Sequence, residues 1–229
     1  MQEYIIKSES RINKALADLG VCSRREADKL IESGKVFINK RQATLGSKVS
    51  AGDTVTIKTE AKNLKYFLYF KPRGEVTGET NKESLAGLHP VGRLDKESDG
   101  LLIYTNDHRV VDALLNPKNE VEKEYRVTVR EKATPRVERI LLDGIETQEG
   151  EYKPAKRVFI HEDGLTVDIT ITEGKKHEIR RMLNALNLTI NTLTRKRIAT
   201  LNDRTIRSGQ AKEIEPHDLE RLFKVLKIS

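Results

Sequence analysis

The sequence predicts an α+β protein in two parts: a small αα-β module over residues 1–60 and a larger domain over 61–229. Three observations carry that prediction. Segments with strand-type alternation outnumber segments with helical periodicity. Many of them are joined by short turns, as in a mainly antiparallel, partly mixed sheet with flanking helices. A polar link at 60–64 separates the two parts. No internal repeat or low-complexity tract interrupts the pattern.

The chain has 229 residues, of which 37% are apolar and 34% charged. That is polar for a globular protein, but the aliphatic residues cluster well enough to build a core. No stretch reaches the apolar length of a bilayer-spanning helix, and the first residues, MQEYIIKSES, lack a secretory pattern. Cys22 is the only cysteine. It rules out an internal disulfide and any multi-cysteine zinc site, and it predicts a reducing cytoplasm.

In the N-terminal module, Ile12, Leu16 and Leu19 recur at helical spacing and Gly20 ends the helix. "SRRE" (23–26) reads as a capping box, with Ser23 capping and Glu26 reaching back. Ala27, Leu30 and Ile31 give a second helix, closed by Gly34. "KVFINKRQA" then reads as a strand and tight turn, and "VSAGDTVTI" as a turn and strand.

In the larger domain, "YFLYFKPRGEVTG" is a strand that ends in a loop at Lys71, Pro72 and Gly74. "LLIYTND" (101–107) is a second strand, and Val110 to Leu115 a short helix before Pro117. "KEYRVTVR" (123–130) alternates as a strand. A helix follows Pro135, with Val137, Ile140 and Leu141 on its apolar face. "AKRVFIHEDGLTVDITIT" reads as a hairpin turning at "EDG". "KKHEIRRMLNALN" and "PHDLERLFKVL" read as helices.

The formal charge is +7 and is localised. Residues 173–212 hold ten Lys or Arg against three acids, while the rest of the chain carries 32 of each. A field concentrated in this way suits a polyanion, most simply a nucleic acid. A solubilising basic face would look the same. There is no tryptophan and there are only five phenylalanines, so phosphate contacts and shape are favoured over extended base stacking.

Arg24 and Arg25 break a local rule. They sit in the first turn of the second helix, where the macrodipole disfavours cations by about 0.3–1 kcal/mol each. A bound phosphate would reverse that sign. Lys29, Lys35, Lys40 and Arg41 could extend the same patch. Exposed arginines are also tolerated at helix starts without any ligand.

Three further features could carry chemistry. "VGRLDKESDG" (91–100) crowds Arg93, Asp95, Lys96, Glu97 and Asp99 between Gly92 and Gly100 at the mouth of a strand. From spacing alone, Asp95 reads most simply as a turn cap toward Ser98. In "EGKKHEIRRML" (173–183), Ile179, Met182, Leu183 and Leu186 form one apolar face. Arg180 lies at its edge, able to line a cleft, and Arg181 points away. Lys175, Lys176 and Arg181 are better placed for phosphates. Tyr125, in a strand, reads by itself as half-buried packing. The five histidines show no metal-ligand spacing, and no metal or nucleotide cofactor is predicted.

These segments resemble known families. Residues 11–55, including the arginine pair, Gly34 and the "GD" turn, resemble an S4 domain, a small RNA-binding module; Arg11 opens the matching stretch. "GRLDKESDGLLIYTND" resembles the catalytic motif of pseudouridine synthases, usually Gly-Arg-Leu-Asp-x-x-Thr-x-Gly-Leu-Leu. "FKPRGEVT" resembles that family's upstream Lys-Pro-x-Gly loop. "EKEYRVTV" and "EGKKHEIRRML" resemble its tyrosine strand and arginine helix. The order matches the single-site ribosomal RNA enzymes of that family. Two residues depart from the pattern: Ser98 replaces a threonine, and Glu178 replaces a glutamine and brings a second carboxylate toward Arg180.

The resemblance implies a pseudouridine synthase fold and the conversion of uridine to pseudouridine in ribosomal RNA, with the large-subunit RNA favoured. Small-subunit RNA, transfer RNA or a non-catalytic assembly role are the alternatives. Asp95 would act on the sugar as nucleophile or serve as a base. Arg180 would pair with it and orient it. Tyr125 would stack on the base and assist proton transfer, and Ile179 would pack beside the ring. Arg93 would support the loop and help flip the nucleotide. Lys71, in the upstream loop, joins the predicted RNA-binding residues. The predicted partner is RNA, with no membrane and no metal, and the predicted state is a monomer.

Overall fold

The structure is a computed structural model that describes residues 1–58 and 63–228. Residue 59 and most of the polar link, residues 60–62, lie outside the described residues. The chain divides into two compact units. One is Met1–Leu64 with Asp107–Asp112; the other is Lys65–Asn106 with Ala113–Ser229. The sequence boundary at residue 60 thus moves to Leu64, and the small contribution from Asp107–Asp112 had no sequence signal.

In the first unit, helices Ile12–Asp18 and Arg24–Glu32 form where the periodicity places them. The capping box closes in both directions. The Glu26 amide donates to Ser23 Oγ at 3.2 Å, and the Ser23 amide donates to Glu26 Oε2 at 3.0 Å. An antiparallel sheet runs in the order Gln2–Ile5, Thr54–Ile57, Val36–Ile38, Arg41–Gln42. The turn before its edge strand puts Asn39 and Lys40 at φ 48° and 70°. Asn39 tolerates the left-handed region well and lysine less so. Asn39 Nδ2 ties the turn to Asp53 Oδ1 at 2.7 Å. Ile12, Leu16, Ala27, Ile31, Val36, Val55 and Ile57 make a separate small core.

The second unit is built on a mixed sheet of nine strands among the described residues. Its main path runs Arg157–Ile160, Thr166–Ile171, Lys123–Val129, Ile190–Ile198, Asp99–Thr105, Tyr66–Lys71, Ala211–Glu213. All neighbours on this path are antiparallel except Ile190–Ile198 with Asp99–Thr105. Helices Pro135–Asp143, Glu178–Ala185 and Pro216–Leu226 accompany it. Among the described residues, no helix is long and apolar enough to cross a membrane.

The parallel pair fixes the centre of the domain. Across it, Tyr125 registers with Arg195, Arg195 with Gly100, and Gly100 with Lys71. Gly100 has φ 111°, and a Cβ there would lie 2.4 Å from the Arg195 carbonyl oxygen and 2.5 Å from its nitrogen. No side chain fits that approach. The residue that ends the acidic turn is therefore a glycine for reasons of packing.

Several elements were not foreseen, and three of them bear on this domain. The central strand Ile190–Ile198 was read only as part of the basic segment. Its buried positions are Leu193, Arg195 and Ile198, so a cation stands where alternation calls for an apolar residue. The hairpin Ile145–Thr147 with Gly150–Tyr152 and the edge strand Ala211–Glu213 are too short to show a period. The helix expected across 175–187 is shorter, Glu178–Ala185, because His177 and Asn187 adopt φ 56° and 57°.

Candidate active site

The turn at 92–98 is shaped by local chemistry. Gly92 enters it at φ 78°. The Ser98 amide donates to the Asp95 carbonyl at 3.0 Å and closes it. The Asp95 side chain does not cap this turn. It reaches the helix Glu178–Ala185, where Arg180 Nε donates to Asp95 Oδ2 at 3.3 Å. The same guanidinium donates through Nη2 to Ser98 Oγ at 2.8 Å and to the Glu97 carbonyl at 3.2 Å. One arginine thus grips both the acid and the turn that carries it. The Asp95 side chain keeps 33% exposure and Arg180 keeps 28%, so the pair borders solvent.

The second oxygen is engaged too. His177 Nε2 lies 3.3 Å from Asp95 Oδ1. The sequence reading found no metal-ligand spacing among the histidines and so passed over His177. Its place three residues before Arg180, at the helix entrance, was the available signal.

Beneath the turn lie two enclosed cations. Lys71 is fully buried, and its Nζ donates to the carbonyls of Pro72 at 2.9 Å and Glu75 at 2.8 Å. Burial holds its ammonium below the usual lysine range, against the pull of Glu75, Asp99, Asp95 and Glu97. This corrects the expectation that Lys71 binds RNA: its ammonium is fully buried and turned to the main chain, out of reach of a phosphate. Arg195 is also buried, with Nε donating to the Leu101 carbonyl at 2.7 Å and Nη1 to Tyr125 Oη at 3.4 Å. Sequence reasoning missed this partner of Tyr125 because it missed the strand.

Tyr125 and Ile179 are placed in the core, at 8% and 4% exposure. Each presents only a small edge to a ligand. Arg93, Lys96 and Lys176 are exposed. Lys175 is exposed but committed, with Nζ donating to the Glu151 carbonyl at 2.6 Å and 3.1 Å from Glu173 Oε2. Arg181 pairs with Glu149 and donates to Tyr152 Oη at 3.5 Å. It therefore points over the 145–152 hairpin, where a phosphate would have to compete with the exposed Glu149 for it.

Glu178 does not crowd Arg180. It is buried and accepts the Lys175 amide at 2.9 Å, which ties the entrance loop to the helix. Burial pushes its carboxyl above the usual range, opposed by that amide bond. Glu178 is therefore the helix's loop tether, and the proposed arginine keeps Asp95 as its carboxylate partner.

In the first unit, Arg11, Arg24, Arg25, Lys29, Lys35, Lys40 and Arg41 are all exposed. Arg24 and Arg25 occupy the first turn of their helix, as the sequence places them.

A carboxylate held by an arginine at a strand mouth, on this mixed sheet, is the arrangement that the resemblance to pseudouridine synthases leads one to expect. Residues 36–185 match the family model described as RNA pseudouridylate synthase, and residues 10–55 match the S4 domain. The chain belongs to the RNA pseudouridylate synthase family and is an RNA pseudouridine synthase, an isomerase. It is similar to ribosomal large subunit pseudouridine synthase B of Bacillus subtilis, with 35% identity over 93% of this chain and 95% of that protein. It is also similar to the dual-specificity RNA pseudouridine synthase RluF of Escherichia coli K12, with 33% identity over 97% of this chain and 81% of that protein. A crystal structure of a pseudouridylate synthase superposes with a TM-score of 0.69 at 28% identity, over 93% of this chain and 99% of that one.

Proposed function

We propose that this protein converts a uridine of large-subunit ribosomal RNA to pseudouridine, with Asp95 as the reacting carboxylate. The observation that carries the reading is the Arg180–Asp95 contact, made from a helix 85 residues away in sequence. A pure binder gains nothing from an acid presented to a polyanion. The choice of RNA follows the large-subunit synthase of Bacillus subtilis to which the chain is similar along nearly its whole length.

The reaction breaks the N1–C1′ bond, turns the base and joins C5 to C1′; the C5 proton is lost and N1 gains a proton. Nothing is oxidised or reduced, and no group enters or leaves. A carboxylate suits it, because an anion can attack C1′ or accept a proton. Arg180 fixes Oδ2 and orients the group. Tyr125, steadied by Arg195, offers a ring edge to the base, beside Ile179. The target nucleotide must leave its stack, at a cost of a few kcal/mol. Phosphate contacts from the S4 module and from Arg93, Lys96 and Lys176 supply that energy. On this reading the protein acts as a monomer in the cytoplasm, where ribosomal RNA matures.

The test is a modification map. Carbodiimide-treated RNA from a deletion strain and its parent is reverse transcribed across the large-subunit, small-subunit and transfer RNAs. Loss of one stop in large-subunit RNA, restored by the wild-type gene, supports the reading. Loss only in small-subunit or transfer RNA moves the substrate, and an unchanged map overturns the reading.

A further inference from the structure

The acidic turn carries charge on both sides and borders solvent, yet its carboxylate must be held to a fraction of an ångström. The loop at 72–78 supplies the restraint. The Gly74 amide donates to the Lys96 carbonyl at 2.7 Å, on the far side of Asp95. On the near side stands Thr77. Its Oγ1 accepts the Leu94 amide at 3.1 Å and donates to the Leu94 carbonyl at 2.8 Å. One hydroxyl satisfies both main-chain groups of the residue before the acid, as a neighbouring strand would. Leu94 is buried, so these groups have little access to water as a substitute.

The loop is itself anchored to the sheet. Tyr69, fully buried in its strand, donates from Oη to Glu75 Oε2 at 2.7 Å. The buried Lys71 ammonium binds the Glu75 carbonyl. A path of hydrogen bonds joined by short stretches of main chain therefore runs from the sheet through Glu75 and the loop to Thr77, and through Leu94 to Asp95.

We propose that Thr77 is a positioning residue for the reaction: its hydroxyl fixes Leu94 and thereby sets the place of the Asp95 carboxylate against the target ribose. The inference rests on the reading of Asp95 as the reacting group. Misplacing a reacting group by about 1 Å can cost about 100-fold in rate.

The experiment compares Thr77→Val, Thr77→Ala and Thr77→Ser on a large-subunit RNA fragment, with single-turnover rates, RNA affinity and hydrogen exchange at the Leu94 amide. Valine keeps the shape and removes both bonds; serine keeps both bonds. The expected result is a 10- to 100-fold lower rate for valine, RNA affinity within twofold of wild type, and at least tenfold faster exchange at Leu94. Serine restores both rate and protection. If the valine protein does not fold, the alanine and serine proteins give the same comparison. A valine rate within twofold of wild type, or a serine rate as low as valine's, overturns the proposal. An Asp95→Asn protein that still turns over fails the reading of the site instead, and the Leu94 exchange data distinguish the two failures.

Discussion

Arg180 meets Asp95 through one contact of 3.3 Å, yet its Nη2 binds Ser98 Oγ at 2.8 Å and the Glu97 carbonyl at 3.2 Å. The guanidinium is a bracket across the turn as well as a counter-charge. A lysine ammonium is a point donor and cannot span these positions. Arg180→Lys should lower turnover about 100-fold while RNA affinity changes little, since misplacement by ~1 Å costs that much. Ser98→Ala, which removes one charge-assisted bond, should cost about tenfold. Single-turnover rates on an RNA fragment check both. A lysine variant at wild-type rate would mean that only the charge matters.

The burial of the Glu178 carboxyl predicts a stability effect of definite sign. Its carboxyl is raised by burial, so the folded state holds the proton more tightly than the unfolded chain. Stability from this group is fully present below the unfolded value of about 4.3. It is lost as pH rises through the folded value. At neutral pH the buried charge is therefore a cost. Glu178→Gln keeps an acceptor for the Lys175 amide and should raise the melting temperature by a few degrees at pH 7–8. The gain should shrink toward pH 4. A glutamine variant less stable at pH 8 would contradict this.

Gly100→Ala tests the central close approach. The added Cβ meets the Arg195 backbone at 2.4–2.5 Å, and φ 111° is strained for any L side chain. A cost of roughly 3 kcal/mol or more follows from strain and clash together. The readout is thermal melting or soluble yield, and a melt within 2 °C of wild type would rule out the clash. The same strand pairing explains why Asp99–Thr105 starts before its apolar run.

The exposed cations at the start of the second helix predict a salt effect. Arg24→Ala with Arg25→Ala should weaken RNA binding and reduce the slope of log K against log salt by about 1–2. Titrations of RNA binding at several salt concentrations measure that slope. An unchanged slope would separate these arginines from phosphate.

How far the residues spoke for themselves varied with their chemistry. The Ser23–Glu26 box, the apolar strand before Lys71 and the Arg180 face were legible because capping and periodicity are local. Asp95 was not, since a turn aspartate and a catalytic one have the same spacing; four ordered family motifs made the difference. Arg195 was hidden by its own charge, for a buried arginine breaks the alternation that marks a strand. The fate of Lys71, Arg181 and Glu178 depended on partners far along the chain or on burial, and neither shows in spacing. Thr77 was silent for the same reason, because its partner Leu94 lies across a loop.

The most direct test of the whole account is a single substitution, Asp95→Asn, which keeps size and one acceptor oxygen for Arg180 and removes the charge. Turnover of the RNA fragment should fall below detection, while RNA affinity stays within about threefold, because Arg180 and His177 still face the amide. A variant that still forms pseudouridine at a measurable fraction of the wild-type rate would contradict the claim that this carboxylate does the chemistry.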